Sequence, residues 1–248
     1  MIYILYGLLP AAVLTAVWYK ESRLYLALFN RLLFRPRHGT ALYADKAVYF
    51  PGSALLEAHW RQILQELRQL LEAGNTVPKF HEVDGANHKI SFPKGPAWRT
   101  LVLKAYNGWF TANCEKCPVT YGLLRDMPEV STVMFSILEP QVRIPAHTGK
   151  FSGIWRYHLA LQVPENGHCF MDVNGETYYW KTGEGILFDD TYLHAVTNDT
   201  NGYRIVLFLD VAKRSSRLTR AVNNGLMWLV RKSPIFSRAL KTGIINGH

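Results

Sequence analysis

The sequence predicts a mainly β fold, a double-stranded β-helix (jelly roll, cupin-like) with flanking helices, and three observations predict it. From Val130 to Val211 the chain is a succession of short apolar, β-branched runs separated by Gly, Pro and Asn, with no helical periodicity between them. Asp172-Val173-Asn174-Gly175-Glu176 is a tight hairpin signal inside that series. The runs number eight and are closely spaced, which suits two sheets packed face to face. They are Ser131–Glu139, Val142–His147, Trp155–Val163, His168–Val173, Glu176–Trp180, Gly185–Phe188, His194–Thr197 and Arg204–Val211.

The elements before the barrel are of another kind. Ile2 to Tyr19 is an apolar run without charge, closed by Lys20, about the length a bilayer span needs. Tyr3, Tyr6, Trp18 and Tyr19 bracket it as interfacial aromatics do. A cleaved signal peptide fits less well, because there is no basic segment before the run and no small-x-small site after it. The alternative, a buried core helix, would show a polar face. Leu24 to Phe34 reads as an amphipathic stretch along the membrane surface, and Pro36 to Pro51 as a loop. Ser53 then opens an amphipathic helix to about Ala73, with Leu56, Trp60, Ile63, Leu64, Leu67, Leu70 and Leu71 as its apolar face and Gly74 as its stop. Val77 to Pro96 is loop, with His81 and His88 read as surface residues. Trp98 to Phe110 is a strand or two, and Cys114 to Met127 a loop and a short helix. After Ala212 the chain turns helical and basic, with Leu218, Val222, Leu226, Leu229 and Val230 near one face and Pro234 breaking the run. The expected organisation is an anchor and basic juxtamembrane segment at 1–37, the barrel domain at 38–212, and a basic amphipathic tail at 213–248.

Composition narrows the function classes. With 248 residues, 48% of them hydrophobic and 19% charged, the chain is globular and long enough for one sizeable core. Three cysteines are an odd number, which argues against a disulfide framework. Cys114-x-x-Cys117 is half of a zinc pattern whose other half is missing. The net charge of +9 is concentrated at the two ends, in Lys20, Arg23, Arg31, Arg35 and Arg37 and in a tail without acidic residues after Asp210. That distribution points to an anionic membrane surface. No nucleic-acid motif accompanies it. The basic residues lie C-terminal to the apolar run, so the positive-inside rule puts the body in the cytoplasm, at a bacterial inner membrane.

Polar residues on barrel strands are costly unless a cavity uses them. His147 and His194 each end or open a strand, and imidazole at two such places suits iron, copper or zinc. The 2-His-1-carboxylate pattern would want an Asp two residues after the first His, where Gly149 stands. This leaves two protein ligands and a position for water. Arg204 falls in an otherwise apolar strand and needs an anion to pair with. A co-substrate carboxylate is one partner, held bidentately, and Asp189 or Asp190 is the alternative. His158 taken alone reads as a core histidine, and Phe188-Asp189-Asp190 as a turn-fixing pair. Trp109, Phe110, Trp155, Tyr157 and Tyr192 line an acyl groove or belong to the core.

From about Lys46 to Val211 the chain resembles the aspartyl/asparaginyl β-hydroxylase family of Fe(II)/2-oxoglutarate dioxygenases. The shared elements are Ser136-x-Leu138, His147-Thr148-Gly149, Arg156-x-His158-Leu159, Phe188-Asp189-Asp190-x-x-x-His194 and Arg204-x-x-Leu207-x-x-Asp210. The resemblance implies that His147 and His194 bind Fe(II), with Gly149 in place of the usual carboxylate. It implies that Arg204 and Ser136 hold the distal carboxylate of 2-oxoglutarate, that His158 contacts the other carboxylate, and that O2 is the oxidant. Arg156 then lies where the family directs an arginine to the acidic side chain of a peptide substrate, while a second substrate-side arginine would fall at Ile154 and is missing. The N-terminal apolar run, Trp155-Arg156-Tyr157-His158-Leu159 and the hairpin from His168 to Trp180 are more similar to the branch that hydroxylates acyl chains of bacterial lipids, lipid A and ornithine lipids among them. That branch often has an Asp where Gly149 stands. The expected activity is therefore hydroxylation of a membrane lipid's acyl chain by a membrane-anchored enzyme with no obligate protein partner. A peptidyl Asp/Asn β-hydroxylase is the first alternative, and a non-catalytic, membrane-tethered binding module the second.

Overall fold

The computed structural model describes residues 42–83, 95–149, 151–165 and 167–213, with isolated positions between 221 and 245. The apolar run Ile2–Tyr19, the stretch Leu24–Phe34 and the tail positions Leu218, Val222, Leu226, Leu229 and Val230 lie outside the described residues. Among the described residues no helix is long and apolar enough to cross a membrane.

Among the described residues the strands, in chain order, are β1 (Trp98–Ala105), β2 (Gly108–Trp109), β3 (Val130–Leu138), β4 (Val142–His147), β5 (Ile154–Gln162), β6 (Cys169–Val173), β7 (Glu176–Tyr178), β8 (Gly185–Phe188), β9 (His194–Asn198) and β10 (Arg204–Ala212). They form a six-stranded sheet in the order β2-β1-β3-β10-β5-β8 and a four-stranded sheet in the order β4-β9-β6-β7. The pairings are antiparallel throughout. The last eight strands pass back and forth between the sheets, which is the predicted jelly roll, and β1 and β2 extend its large sheet. Each predicted strand of the eight appears within about two residues of its expected ends. The hairpin between β6 and β7 has Asn174 and Gly175 at φ 52° and 85°, the two positive dihedrals that a two-residue turn of the I′ kind requires. Asp172 fixes it by accepting from Gly175 N at 3.0 Å.

Alternation along the strands divides the large sheet into two buried faces. Val133, Phe135 and Ile137 of β3, Tyr157, Leu159 and Leu161 of β5, and Ile205, Leu207 and Leu209 of β10 pack outward into a core shared with the helices. Met134 and Leu138, Ala160, and Val206 and Phe208 pack inward against Val142, Ile144, Met171, Val173 and Val196 of the small sheet. The functional residues share this inner face.

Among the described residues the helices are α1 (Lys46–Tyr49), α2 (Ser53–Ala58), α3 (Trp60–Glu72), α4 (Phe80–Val83), α5 (Thr111–Lys116) and α6 (Pro118–Leu124); α4 packs on the inner core through Phe80 and Val83, and α2, α3, α5 and α6 contribute to the outer one. The single helix predicted from Ser53 to Ala73 is two, because His59 leaves helical geometry at φ −109°, ψ 13°. Leu56, Ile63, Leu64, Leu67 and Leu70 bury as expected, but Leu71 stays exposed. Glu66 is buried instead and caps α6, accepting from Val119 N at 2.5 Å and from Thr120 Oγ1 at 2.6 Å. The predicted loop over Pro36–Pro51 contains α1, whose N-cap Asp45 accepts from Ala47 N at 2.9 Å. Cys114 and Cys117 are free thiols in the helix-side core, where burial raises them to about 11 and about 12. Near the end of the chain, Ile245 is buried against the body and donates its N–H to Asn113 Oδ1 at 3.2 Å.

Candidate active site

The predicted histidine pair meets at one end of the barrel. His147 closes β4, His194 opens β9, and the two stand opposite each other in the register of the small sheet. A register shift between Ile144 and His147 brings them together, a device that re-aims side chains beside active sites. Their ring centroids are 4.2 Å apart. The Nδ1 of His147 lies 2.8 Å from Pro145 O, and that of His194 lies 2.9 Å from Tyr192 O. A carbonyl oxygen only accepts, so each Nδ1 carries the proton and each Nε2 presents a lone pair. This is the tautomer a metal ligand needs. Burial holds both imidazoles neutral, lowering His147 and taking His194 to about 4.

Asp190 supplies what the sequence reading missed. A Cβ at position 149 would overlap the Asp190 carboxylate, so this side chain fills the space that a residue 149 side chain would enter. The backbone ties the two positions together, with Gly149 N donating to Asp190 O at 2.7 Å. Asp190 pairs with Arg156 at 2.9 Å and leaves its buried Oδ1 without a hydrogen bond. Burial raises the carboxyl to about 6, against the pull of Arg156. The reading of Asp189-Asp190 as a turn-fixing pair describes Asp189 alone, which accepts from Thr191 N at 3.0 Å and from Thr191 Oγ1 at 2.7 Å.

Arg156 lies beside the pair but is engaged on two sides, with Asp190 and, at 3.0 Å, with Asp210. Its guanidinium also lies over the Phe208 ring at 4.4 Å. Ile154, at the missing arginine's position, is buried. Among the described residues no three His, Cys, Asp or Glu side chains converge as a metal-binding group.

Deeper in the barrel, Ser136, His158 and Arg204 stand on β3, β5 and β10, adjacent strands of the large sheet. Arg204 is 1% exposed. Its Nη1 donates to Ser136 Oγ at 3.3 Å, and Ser136 Oγ also accepts from Trp98 Nε1 at 2.9 Å. The Arg204 guanidinium lies 5.0 Å from the centre of the Trp180 ring. The carboxylates weighed as its partners are taken: Asp189 by Lys213 at 2.5 Å and Asp190 by Arg156. Arg204 is left as a buried cation without a counter-ion among the described residues, and burial lowers it to about 10. His158 makes no hydrogen bond through either ring nitrogen, and burial, then the Arg204 charge, hold it well below the usual histidine range.

Most of the buried polar side-chain atoms without a hydrogen bond among the described residues lie on this inner side: Thr100 Oγ1, both nitrogens of His158, Trp180 Nε1, Asp190 Oδ1 and Arg204 Nε. Native interiors satisfy such groups. Thr100 and Trp180 were not singled out in the sequence, where an isolated Thr or Trp on a strand carries no such signal. Of the aromatics considered for an acyl groove, Trp155, Tyr157 and Trp109 belong to the helix-side core and Phe110 to the inner core, while Tyr192 packs against the inner core's edge.

Residues 57–214 match the family described as aspartyl/asparaginyl beta-hydroxylase. The chain belongs to that family. An ornithine lipid ester-linked acyl 2-hydroxylase from Rhizobium tropici is 33% identical over 198 residues, covering 79% of this chain and 68% of that protein. The human aspartate beta-hydroxylase domain-containing protein 2 is 30% identical over 191 residues, and the match spans 73% of this chain but only 49% of that one. A Pseudomonas putida prolyl-4-hydroxylase structure aligns over 64% of this chain and 88% of that chain, at 11% identity and a TM-score of 0.40. At that distance the likeness has no bearing on function. Membership of this hydroxylase family agrees with a barrel whose two histidines and unpaired arginine face one interior.

Proposed function

We propose that this chain is a membrane-anchored Fe(II)/2-oxoglutarate-dependent dioxygenase that hydroxylates a fatty-acyl chain of a membrane lipid. The observation that carries the reading is Arg204, a buried guanidinium without a carboxylate partner among the described residues, in the same interior as two histidines whose Nδ1 atoms are held by backbone carbonyls. In this reading His147 and His194 hold the iron. Arg204 and Ser136 take the distal carboxylate of 2-oxoglutarate by charge-assisted hydrogen bonds, and His158 contacts the other carboxylate. Bound iron and co-substrate together supply the oxidising chemistry, in which 2-oxoglutarate, O2 and a C–H bond become succinate, CO2 and a C–OH group. The protein's own residues orient and shield. Asp190, fixed by Arg156, places an acceptor in the space that a side chain at 149 would otherwise enter.

The substrate class rests on two supports. One relative is named as an acyl hydroxylase of ornithine lipid. Arg156, the arginine expected to face an acidic peptide side chain, is already neutralised by Asp190 and Asp210, which favours an acyl chain over a peptidyl aspartate. The deciding test is mass spectrometry of whole lipid extracts from cells carrying the gene, lacking it, or carrying His194→Ala. A lipid class one oxygen heavier only with the unmodified gene is the expected result. An unchanged lipidome, with purified protein oxidising 2-oxoglutarate in response to Asp-containing peptides, would replace this reading with a peptide hydroxylase.

A further inference from the structure

From the α1–α2 segment we infer that the barrel's own body seats on the bilayer, through a face distinct from any N-terminal span. Every exposed position from Ala47 to Ala58 carries Ala, Val, Tyr, Pro or Leu. Val48, Tyr49 and Leu55 stand out at 48%, 43% and 43% exposure. Of the charged side chains that border this surface, Asp45 is exposed and caps α1, while Lys46 and Glu57 are tied to each other and to the body. Lys46 pairs with Glu57 at 2.8 Å and donates to Gly185 O at 3.0 Å. Glu57 in turn accepts from the buried Tyr157 hydroxyl at 3.0 Å. Phe50 and Leu56 fill the core below. An apolar run of exposed positions whose scaffold is pinned by polar bonds underneath is what a lipid-facing surface requires.

The occupant follows from where the preceding chain arrives. Residues 42–44 run alongside β8: Asp189 N donates to Leu42 O at 3.0 Å, Ala44 N donates to Leu187 O at 2.9 Å, and Tyr43 bridges Phe188. The described chain therefore begins next to Asp189, one position from Asp190. The residues before it carry the uncharged run Ile2–Tyr19 and then Lys20, Arg23, Arg31, Arg35 and Arg37, the sequence of an apolar anchor followed by groups for anionic headgroups. Tyr49 reaches back to the same end of the barrel, its ring 5.7 Å from that of Trp155. Lys213 spans from the Trp155 ring to Asp189. The partner is a bilayer containing anionic phospholipid, and docking of this face brings the Asp189–Asp190 end of the barrel close to it.

This inference rests on the membrane reading above but is tested without turnover. The full chain is reconstituted in phosphatidylethanolamine/phosphatidylglycerol vesicles with an environment-sensitive fluorophore on Leu55→Cys, or on Tyr203→Cys at the opposite end of β10. The three native cysteines are buried and leave the introduced thiol as the reactive one. Spin-labelled phospholipid is expected to quench the label at 55 several-fold more than the label at 203. Equal quenching overturns the inference. So does a label at 55 that is shielded yet insensitive to the lipid, as it would be beneath the chain's own N-terminal segment or a second copy. A second readout is the Val48→Glu/Leu55→Glu variant, expected to lose about tenfold of its rate on vesicle-borne lipid and to keep its rate on detergent-dispersed lipid. Equal losses in both overturn the docking. If the unmodified chain hydroxylates no lipid in either form, the substrate reading falls, and the quenching pattern alone decides the docking.

Discussion

The two faces of the large sheet are built by the same strands and obey opposite rules. On β10, Ile205, Leu207 and Leu209 point to the helices while Arg204, Val206 and Phe208 point into the barrel. Polar groups on the helix side are satisfied: Tyr157 donates to Glu57, and Glu66 caps α6. Inside the barrel, Arg204 Nε, Asp190 Oδ1 and both His158 nitrogens are not. A period-2 strand can thus hold the fold with one set of side chains and leave the other set dissatisfied until a ligand arrives. The outer face carries stability, and the inner face carries affinity.

If that division is right, substitutions on the two faces separate cleanly. Arg204→Leu is expected to weaken 2-oxoglutarate binding about a hundredfold or more, by loss of a charge-assisted contact. Replacing an uncompensated buried charge by an apolar side chain leaves unfolding stability equal or higher, by about 1–4 kcal/mol. Calorimetric titration and urea denaturation of the same samples check both halves, and a large loss of stability would break the comparison. Leu207→Ala, on the opposite face three residues along β10, is expected to cost about 2–5 kcal/mol of stability through its cavity. The folded fraction should bind 2-oxoglutarate as before.

Acid sharpens the contrast. The folded chain holds His158 neutral far below the usual pKa near 6.5. As pH falls through about 6.5 the unfolded chain takes up a proton that the folded site refuses, so stability falls by about 1.4 kcal/mol per pH unit for that proton. Above that range His158 contributes no slope. His147 and His194, also lowered, add in the same direction, and Asp190, raised to about 6, opposes them. The difference in slope between the unmodified chain and His158→Phe, measured by urea denaturation from pH 7 to pH 5 without metal or co-substrate, isolates the one proton. An unchanged slope would mean that His158 is protonated in the fold. The smallest effect is expected from Tyr157→Phe, about 1 kcal/mol from one lost hydrogen bond, with 2-oxoglutarate affinity unchanged.

The barrel was legible because its strands alternate strongly and Gly, Pro and Asn separate them, and the Asn174-Gly175 turn leaves one register. The break at His59 was not, because no Pro or Gly marks it and the apolar spacing runs through it. Asp45 was the overlooked sign of α1, a capping residue in a stretch read as loop. At the site, the two histidines and Arg204 could be found because such residues are anomalous in apolar strands. Asp190 could not be told from Asp189 in sequence. One fixes a turn and the other reaches Gly149, and only the chain's path in three dimensions separates them.

That contact between Gly149 and Asp190 joins two positions forty-one residues apart into one choice. A side chain at 149 would start inside the Asp190 carboxylate as it now lies, so the two can share this corner only if Asp190 swings aside. Swinging aside would take Asp190 from Arg156, its ion-pair partner. A residue added at 149 is therefore expected to act on Arg156 as well, through a carboxylate that it never replaces.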